Sequence, residues 1–273
     1  MTTAPDEMPE PLDHRPAAGT QRQNQSVRKA AALLRAAAEF GTGATVSALA
    51  RAAELPRATA LRMIEALITE HFLTRLPDDR IVIGPGLATV ARATNLAELL
   101  LDAAQGPMER LARRTTEAVT LTVGQPDGSL SVVRQIDGPH MLGLSNWVGR
   151  PVPLHASSAG KLALAFGSID RVEALLRTGL ARLATGTIID PGGFRAELER
   201  IRSQGWSQID DELEDGLTAI SAGVWFDGGF IGSINVSGPT ARVGRAARMA
   251  VLPALTKACR QSEVNLGGGR RRG

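Results

Sequence analysis

The chain has few of the residues on which cross-links and membrane anchors depend. Cys259 is its single cysteine among 273 residues. One thiol can form neither an internal disulfide nor a cysteine zinc site, so we expect Cys259 to pack inside a helix. No apolar run reaches the roughly 18–20 residues that cross a bilayer. Residues 1–16 also lack the apolar centre of a signal peptide. We therefore expect a cytoplasmic protein without a membrane partner.

The sequence also lacks the short motifs of several enzyme classes. There is no Gly-x-Ser-x-Gly nucleophile elbow, no His-Glu-x-x-His metal motif and no Gly-x-x-x-x-Gly-Lys-Ser/Thr phosphate loop. These absences argue against an α/β-hydrolase, a zinc protease and a P-loop nucleotidase. We expect no enzymatic activity, no cofactor and no bound metal.

Charge is nearly balanced overall but unevenly distributed. The chain has 31 basic and 28 acidic residues, a formal net charge of +3. Residues 20–84 contain nine Arg or Lys and six Asp or Glu, so this segment alone has a surplus of +3. Such a surplus permits contacts with phosphate groups without proving them.

Composition predicts two tails around an ordered centre. Residues 1–22 are rich in proline and acids without hydrophobic periodicity, which indicates disorder. Residues 264–273 end in Gly-Gly-Gly-Arg-Arg-Arg-Gly and are predicted to be a flexible basic tail. A solvated tail is the simpler interpretation, although its arginines could touch DNA phosphate.

Residues 23–85 have the pattern of a winged helix-turn-helix domain. A first helix begins with Ser26 as its predicted N-cap, and Thr45 caps a short second helix over residues 46–53. Pro56 suits the first turn of a third helix that extends to about residue 71. Residues 72–76 and 80–84 then predict two strands around a Pro-Asp-Asp turn. This order, three helices followed by a hairpin, favours DNA binding.

The third helix would insert its N-terminal edge into a major groove. Arginine can donate two hydrogen bonds to guanine, and threonine offers a hydroxyl and a methyl group. Arginines beside the hairpin turn could meet phosphate or the minor groove. The alternative is a small packing domain with solvated arginines. The predicted DNA contacts are Arg57, Ala58, Thr59, Ala60, Arg62, Arg75 and Arg80.

The rest of the chain predicts a linker and a larger α+β domain. Residues 87–105 have apolar positions at helical spacing, so residues 86–105 are assigned to one linker helix, with a separate helix from residue 107. Hairpins alternate with helices over residues 106–263. That mixture is typical of an α+β domain built on an antiparallel sheet.

Together these segments resemble the IclR family of bacterial regulators over about residues 23–262. The resemblance rests on residues 25–30, on residues 46–62 with their Leu-Pro-Arg-Ala-Thr entry to the third helix, and on residues 81–85 at the end of the wing. It continues in residues 152–161, 205–216, 219–224 and 236–239. It implies a winged helix-turn-helix joined by a linker helix to a GAF-like α/β effector-binding domain. The implied function is a transcriptional regulator, expected to be a repressor, that binds operator DNA as a homodimer or homotetramer under control of a small effector.

The effector site is expected around the helix that follows residue 156. Ser157 and Ser158 lie at its N-terminus, where free N–H groups favour a carboxylate, although Ser157 could serve only as a cap. By resemblance the acids near residue 210 lie beside the pocket, and Ala219 replaces a cysteine frequent in the family. The predicted effector contacts are Ser157, Ser158, Gly160, Asp210, Asp211, Ala219, Ser221 and Asn235.

Two other functions stay open at this stage. A small-molecule hydrolase could use His155, Ser157 and an acid from residues 210–212. A ligand-binding interaction module could use the C-terminal domain, with an N-terminal domain that no longer binds DNA. Lone histidines in such loops are more often structural, and we expect that role for His155 and for Lys161.

Overall fold

The computed structural model describes residues 24–125, 127–140 and 145–267. The predicted tail at residues 1–22 lies outside the described residues, as does most of the predicted tail at residues 264–273. The chain divides into two compact units between Thr94 and Asn95. Among the described helices, none is long and apolar enough to span a membrane.

The N-terminal unit has the predicted order of three helices and a hairpin. Asn24 rather than Ser26 caps the first helix, since the Asn24 side chain accepts a hydrogen bond from the Ser26 N–H at 3.1 Å. Thr45 caps the second helix as predicted, with its hydroxyl 3.2 Å from the Ala48 N–H. The elements are α1 (Gln25–Phe40), α2 (Val46–Ala52), α3 (Arg57–Thr69), β1 (Leu73–Arg75), β2 (Ile81–Ile83) and α4 (Pro85–Ala91).

One apolar core holds these elements together. Strands β1 and β2 are antiparallel, with Leu73 opposite Ile83 and Arg75 opposite Ile81. Ala44 forms an additional bridge to Ile81, which ties the hairpin to the segment before α2. Leu33, Leu49, Ala60, Ile64, Leu73 and Ile81 are all buried in this core.

The predicted continuous linker helix is wrong. Helix α4 ends at Ala91, and a second helix, α5 (Leu96–Thr115), begins after the boundary. The Asn95 side chain starts this helix by accepting a hydrogen bond from the Glu98 N–H at 3.3 Å. The predicted break at Pro107 is also absent, because α5 continues through that proline. Its buried face, which includes Leu100 and Met108, packs against the sheet and offsets the missing proline N–H.

The C-terminal unit is an α+β domain built on a five-stranded antiparallel sheet, as predicted. Its elements after α5 are β3 (Ala118–Gly124), β4 (Leu130–Ile136), α6 (Ser158–Phe166), α7 (Ile169–Thr178), α8 (Pro191–Gln204), β5 (Trp206–Asp210), β6 (Leu217–Phe226), β7 (Gly229–Pro239) and α9 (Arg245–Asn265). The strand order in the sheet is β4-β3-β7-β6-β5.

The two faces of this sheet differ in chemistry. Because side chains alternate along a strand, one face of β3, β6 and β7 presents large apolar residues to α5 and α9. That face holds Val119, Leu121, Ile220, Ile234 and Val236. Cys259 of α9 is buried there, 3.4 Å from the Ala222 carbonyl oxygen, so it packs as predicted. The opposite face holds buried small polar residues, namely Thr120, Thr122, Ser207, Ser221, Ser233, Asn235 and Ser237.

Candidate functional site

The N-terminal edge of α3 is open to solvent on one side only. Arg57, Ala58 and Arg62 are exposed and Thr59 is half-buried. Ala60 is fully buried in the core of the N-terminal unit. The sequence placed Ala60 on the exposed edge; the structure removes it from that surface, because its helical position faces α1 and α2 rather than solvent.

The two exposed arginines of α3 are held differently. The Arg57 Nε donates a hydrogen bond to the Ser47 hydroxyl at 3.0 Å, which orients this guanidinium from α2. The Arg62 side chain forms neither a hydrogen bond nor an ion pair with the described residues. The edge therefore presents one oriented and one unrestrained cation.

The hairpin arginines are paired with acids of their own unit. Arg75 forms ion pairs with Glu65 and, at 3.6 Å, with Asp79. These contacts join β1 to α3 and to the hairpin turn. Much of the positive charge at this end of the hairpin is therefore neutralised.

Arg80 has a similar arrangement on the second strand's side. Its Nε lies 2.6 Å from Asp78 Oδ2, and its Nη1 donates to the Thr42 carbonyl oxygen at 2.7 Å. The hydrogen bonds from Arg80 hold the pKa of Asp78 below its usual value. Arg75 and Arg80 thus shape the hairpin besides lying near its turn.

A pocket lies in the C-terminal unit between the polar face of the sheet and the N-terminus of α6. It encloses about 500 Å³ of space, including its open mouth. Its wall is partly apolar and partly hydroxyl-bearing, and no charged side chain lines it among the described residues. The lining consists of Thr120, Thr122, Val132, Trp147, Val152, Ser157, Ser158, Ala159, Ile209, Leu213, Leu217, Ala219, Asn235 and Ser237.

Four predicted effector residues line this pocket: Ser157, Ser158, Ala219 and Asn235. The Ser157 hydroxyl accepts from the Gly160 N–H at 3.0 Å and donates to the Pro153 carbonyl oxygen at 2.5 Å. Ser157 is therefore the cap of α6 and also part of the pocket wall.

Asn235 is the centre of the polar face. Its amide nitrogen donates to the Thr120 and Thr122 hydroxyls at 3.0 and 2.9 Å. Its amide oxygen accepts from the Ser221 and Ser233 hydroxyls at 2.6 and 2.9 Å. Ser221 lies outside the lining and supports it, since its hydroxyl also reaches the Ser158 hydroxyl at 2.6 Å.

The two predicted carboxylates do not line the pocket. Ile209 of β5 faces the pocket, so the next residue, Asp210, faces the other side of the sheet, where it pairs with Arg248 and Thr218. Asp211 has a φ of +53° and closes the following turn, because its carboxylate accepts from the Gly216 N–H at 2.8 Å.

Gly160 also lies outside the lining, and its role is close packing. A Cβ atom at this position would lie 2.4 Å from the Leu154 carbonyl oxygen. No larger residue fits without displacing that backbone, so glycine is required here by packing, and the effector contact predicted for Gly160 stays a prediction.

Sequence reasoning missed most of the lining. Thr120, Thr122 and Ser237 contribute hydroxyls, and Trp147, Leu213 and five other apolar residues form the wall. The signal for the hydroxyls was present as strict alternation of small polar with large apolar residues in Val-Thr-Leu-Thr-Val and Ser-Ile-Asn-Val-Ser. No comparable signal marks the wall, which comes from separate strands and loops.

The residues expected of a hydrolase are engaged elsewhere. His155 Nε2 lies 2.8 Å from the Ala181 carbonyl oxygen, and the Ser157 hydroxyl serves the helix cap. Lys161 is fully buried in ion pairs with Glu212 and Glu197, which agrees with a structural role. Among the described residues, no group of three His, Cys, Asp or Glu could hold a metal ion.

The chain combines a helix-turn-helix unit that carries a hairpin with a separate α+β unit that contains a pocket. The family model for the IclR helix-turn-helix domain matches residues 26–77, and that for the bacterial transcriptional regulator IclR C-terminal domain matches residues 93–264. The chain belongs to the IclR family of transcriptional regulators.

Individual relatives agree with this assignment. The chain is 27% identical over 239 residues to the Pca regulon regulatory protein of Pseudomonas putida, covering 86% of this chain and 81% of that protein. It is 28% identical over 225 residues to the transcriptional repressor IclR of Escherichia coli K12, with coverages of 81% and 82%. A crystal structure of an IclR homolog from Microbacterium hydrocarbonoxydans, complexed with 4-hydroxybenzoate, matches with a TM-score of 0.58 and 25% identity. That match covers 89% of this chain and 99% of the other.

Proposed function

We propose that this protein is a transcriptional repressor that binds operator DNA through α3. Its affinity for that DNA changes when a carboxylate-bearing small molecule occupies the pocket. The observation that carries the DNA-binding part is the edge of α3, where Arg57 and Arg62 are exposed, in a unit that also contains the β1–β2 hairpin. A helix edge of this kind fits a major groove, and the hairpin supplies the wing.

The proposed roles of the arginines follow from how each is held. Arg57 keeps its terminal nitrogens available while Ser47 fixes its Nε, so it is suited to a directional contact with a guanine edge. Arg62, without a partner among the described residues, is suited to a base or a phosphate. Ala58 and Thr59 complete the proposed contact edge. Arg75 and Arg80 would need to give up or share acid partners to meet phosphate, so we assign them a smaller contribution.

A carboxylate in the pocket is supported by the start of α6. Ser158 and Ala159 line the pocket, and their N–H groups form no hydrogen bond within the described chain. The positive end of a helix dipole favours an anion at this place. The complex of the Microbacterium relative with 4-hydroxybenzoate, a carboxylate, is consistent with this choice of ligand class.

Repressor activity and assembly are also part of the proposal. The relative from Escherichia coli is named a repressor, and it matches this chain over 225 residues, 81% of this chain and 82% of that protein. Assembly as a homodimer or homotetramer would place two winged helix-turn-helix domains on the two half-sites of an operator. Because bacterial DNA lies in the cytoplasm, a protein that binds operator DNA is expected there. Sedimentation of the full chain measures the assembly, and a monomer at micromolar concentration would contradict it.

Substitution of the two α3 arginines tests the DNA-binding part. We expect Arg57→Ala and Arg62→Ala each to weaken binding to the upstream region of the protein's own gene by about 1–3 kcal/mol if they contact bases. The readout is fluorescence polarisation, with a scrambled duplex of equal length as the reference. Arg28→Ala on α1 is the matched control, since it removes an equal charge from an exposed position of the same unit. Equal losses in all three variants on both duplexes would overturn the assigned roles.

A thermal-shift screen tests the ligand part. Small aromatic and aliphatic monocarboxylates are compared with their amides, which have the same shape without the charge. We expect stabilisation by a carboxylate and none by its amide, because only the anion interacts strongly with the helix end. Equal stabilisation by acid and amide would contradict a carboxylate effector.

A further inference from the structure

A buried ion-pair cluster lies directly behind the pocket. Lys161 is fully buried in α6, one turn after the residues that line the pocket. Its ammonium group pairs with Glu212, which is also buried, and lies 3.6 Å from Glu197 of α8. Glu197 is held in turn by Arg200, with 2.7 Å between Nη2 and Oε1.

Glu212 belongs to the loop between β5 and β6, and the next residue, Leu213, lines the pocket. Other hydrogen bonds tie this loop to different neighbours: Thr187 donates to the Glu212 carbonyl oxygen at 2.7 Å, and the Thr185 N–H donates to Asp215 at 2.8 Å. Among the polar contacts of the described chain, the Lys161–Glu212 ion pair alone joins the loop to α6. The β5–β6 loop and α6, which both contribute to the pocket wall, are therefore connected through this ion pair.

A buried ion pair is a poor source of net stability. Removing two charges from water offsets most of their attraction, and apolar replacements are often as stable. What such a pair adds is a fixed geometry, because each charge tolerates few other positions. Here that geometry concerns the distance between Leu213 and the N-terminus of α6.

We propose that Lys161 and Glu212 are positioning residues of the pocket: their ion pair holds Leu213 against the α6 N-terminus and so sets the pocket's shape and its affinity for a ligand. Neither residue touches the pocket space. The inference rests on the proposed ligand-binding function for its affinity effect, but its effect on the loop is independent of any ligand.

Glu212→Gln is the variant that tests this proposal. It removes the charge at nearly constant shape, and Lys161 retains Glu197 as a neighbouring carboxylate, so the domain should fold. Glu214→Gln is the matched control, with the same chemical change at an exposed position of the same loop. The ligand probe is 4-hydroxybenzoate, measured by calorimetry at a temperature where circular dichroism shows every variant folded.

The first readout needs no ligand. We expect amide hydrogen exchange over residues 211–217 to be at least about tenfold faster in Glu212→Gln than in the wild type. Exchange in β3 and β7 should be unchanged, which separates local loosening from global destabilisation. Unchanged exchange in the loop, or equal acceleration in β3 and β7, would overturn the positioning role.

The second readout is affinity. We expect binding of 4-hydroxybenzoate to weaken about tenfold in Glu212→Gln, within the range of coupling between neighbouring residues. It should be unchanged in Glu214→Gln. Equal affinity in all folded proteins would overturn the affinity effect. If the wild type binds neither this probe nor any carboxylate in the screen, the proposed ligand class fails, while hydrogen exchange still decides the role of the ion pair.

Discussion

Gly160 connects α6 to the loop before it through direct backbone contact. A Cβ at this position would lie 2.4 Å from the Leu154 oxygen, well inside any contact that real Cβ atoms make. The neighbouring backbone is enclosed by buried residues, so it cannot yield easily. The pocket-lining end of α6 can therefore keep its position only because residue 160 has no side chain.

We predict that Gly160→Ala lowers the free energy of unfolding by about 1–3 kcal/mol, the usual range for overpacking. Gly106→Ala is the control inside α5, where the nearest atom to an added Cβ is the end of the flexible Arg110 side chain at 3.3 Å. That change should raise stability by about 0.5–1 kcal/mol through helix propensity. Urea unfolding of both variants measures the difference. A neutral Gly160→Ala would show that the loop moves freely.

Glu212 makes the stability of the protein depend on pH. Burial raises the pKa of Glu212 above its ordinary value, and Lys161 opposes this shift. The folded protein then holds the proton to a higher pH than the unfolded chain does. This group's contribution to stability therefore falls as the pH rises through the interval between the unfolded and folded pKa values.

We predict that the stability of the wild type relative to Glu212→Gln decreases as the pH rises from the unfolded pKa, about 4.3, through the raised pKa of the folded protein, since the glutamine does not titrate. Urea unfolding of both proteins across this range measures it. A difference that grows with pH would contradict a raised pKa for Glu212.

At the scale of elements, the central sheet has two faces with different tasks. Strands β3, β6 and β7 pack large apolar residues on α5 and α9, while their other face forms a hydrogen-bonded network around Asn235. Buried polar groups are stabilising only when their partners are present. The pocket floor is therefore held rigid by the same hydroxyls that give it polarity.

We predict that Asn235→Ala lowers the free energy of unfolding by about 2–4 kcal/mol, because buried hydroxyls lose their shared partner. Ser237→Ala, on the same face and with a hydroxyl that forms no hydrogen bond among the described residues, should change it by less than about 0.5 kcal/mol. Thermal unfolding of both variants decides the matter. A small effect at Asn235 would mean that water replaces the network.

Element order could be predicted from the sequence more completely than the site. Helices α1 to α3 and the hairpin have local signals, such as the Thr45 cap and the turn before Arg80. The break before α5 was missed although Asn95 and Glu98 have the spacing of a capping pair. The pocket depends on contacts between residues far apart in sequence, such as Asn235 with Thr120. For that reason the placement of Asp210 and Gly160 outside it was not foreseen.

At the scale of the whole molecule, each compact unit carries one part of the proposed activity. The N-terminal unit has the exposed arginines of α3, and the C-terminal unit has the pocket. Regulation requires that a ligand bind two states of the protein with different affinity. Reciprocity then demands that DNA change the ligand's affinity by the same factor.

Sequence-selective binding of the full chain to DNA tests the central claim most directly. Fluorescence polarisation compares the upstream duplex of its own gene with a scrambled duplex of equal length and composition, from about 50 to about 200 mM salt. The account predicts tighter binding to the upstream duplex at every salt concentration, with affinity for both falling as salt rises. Equal affinity for the two duplexes, or no binding at micromolar protein, would contradict it.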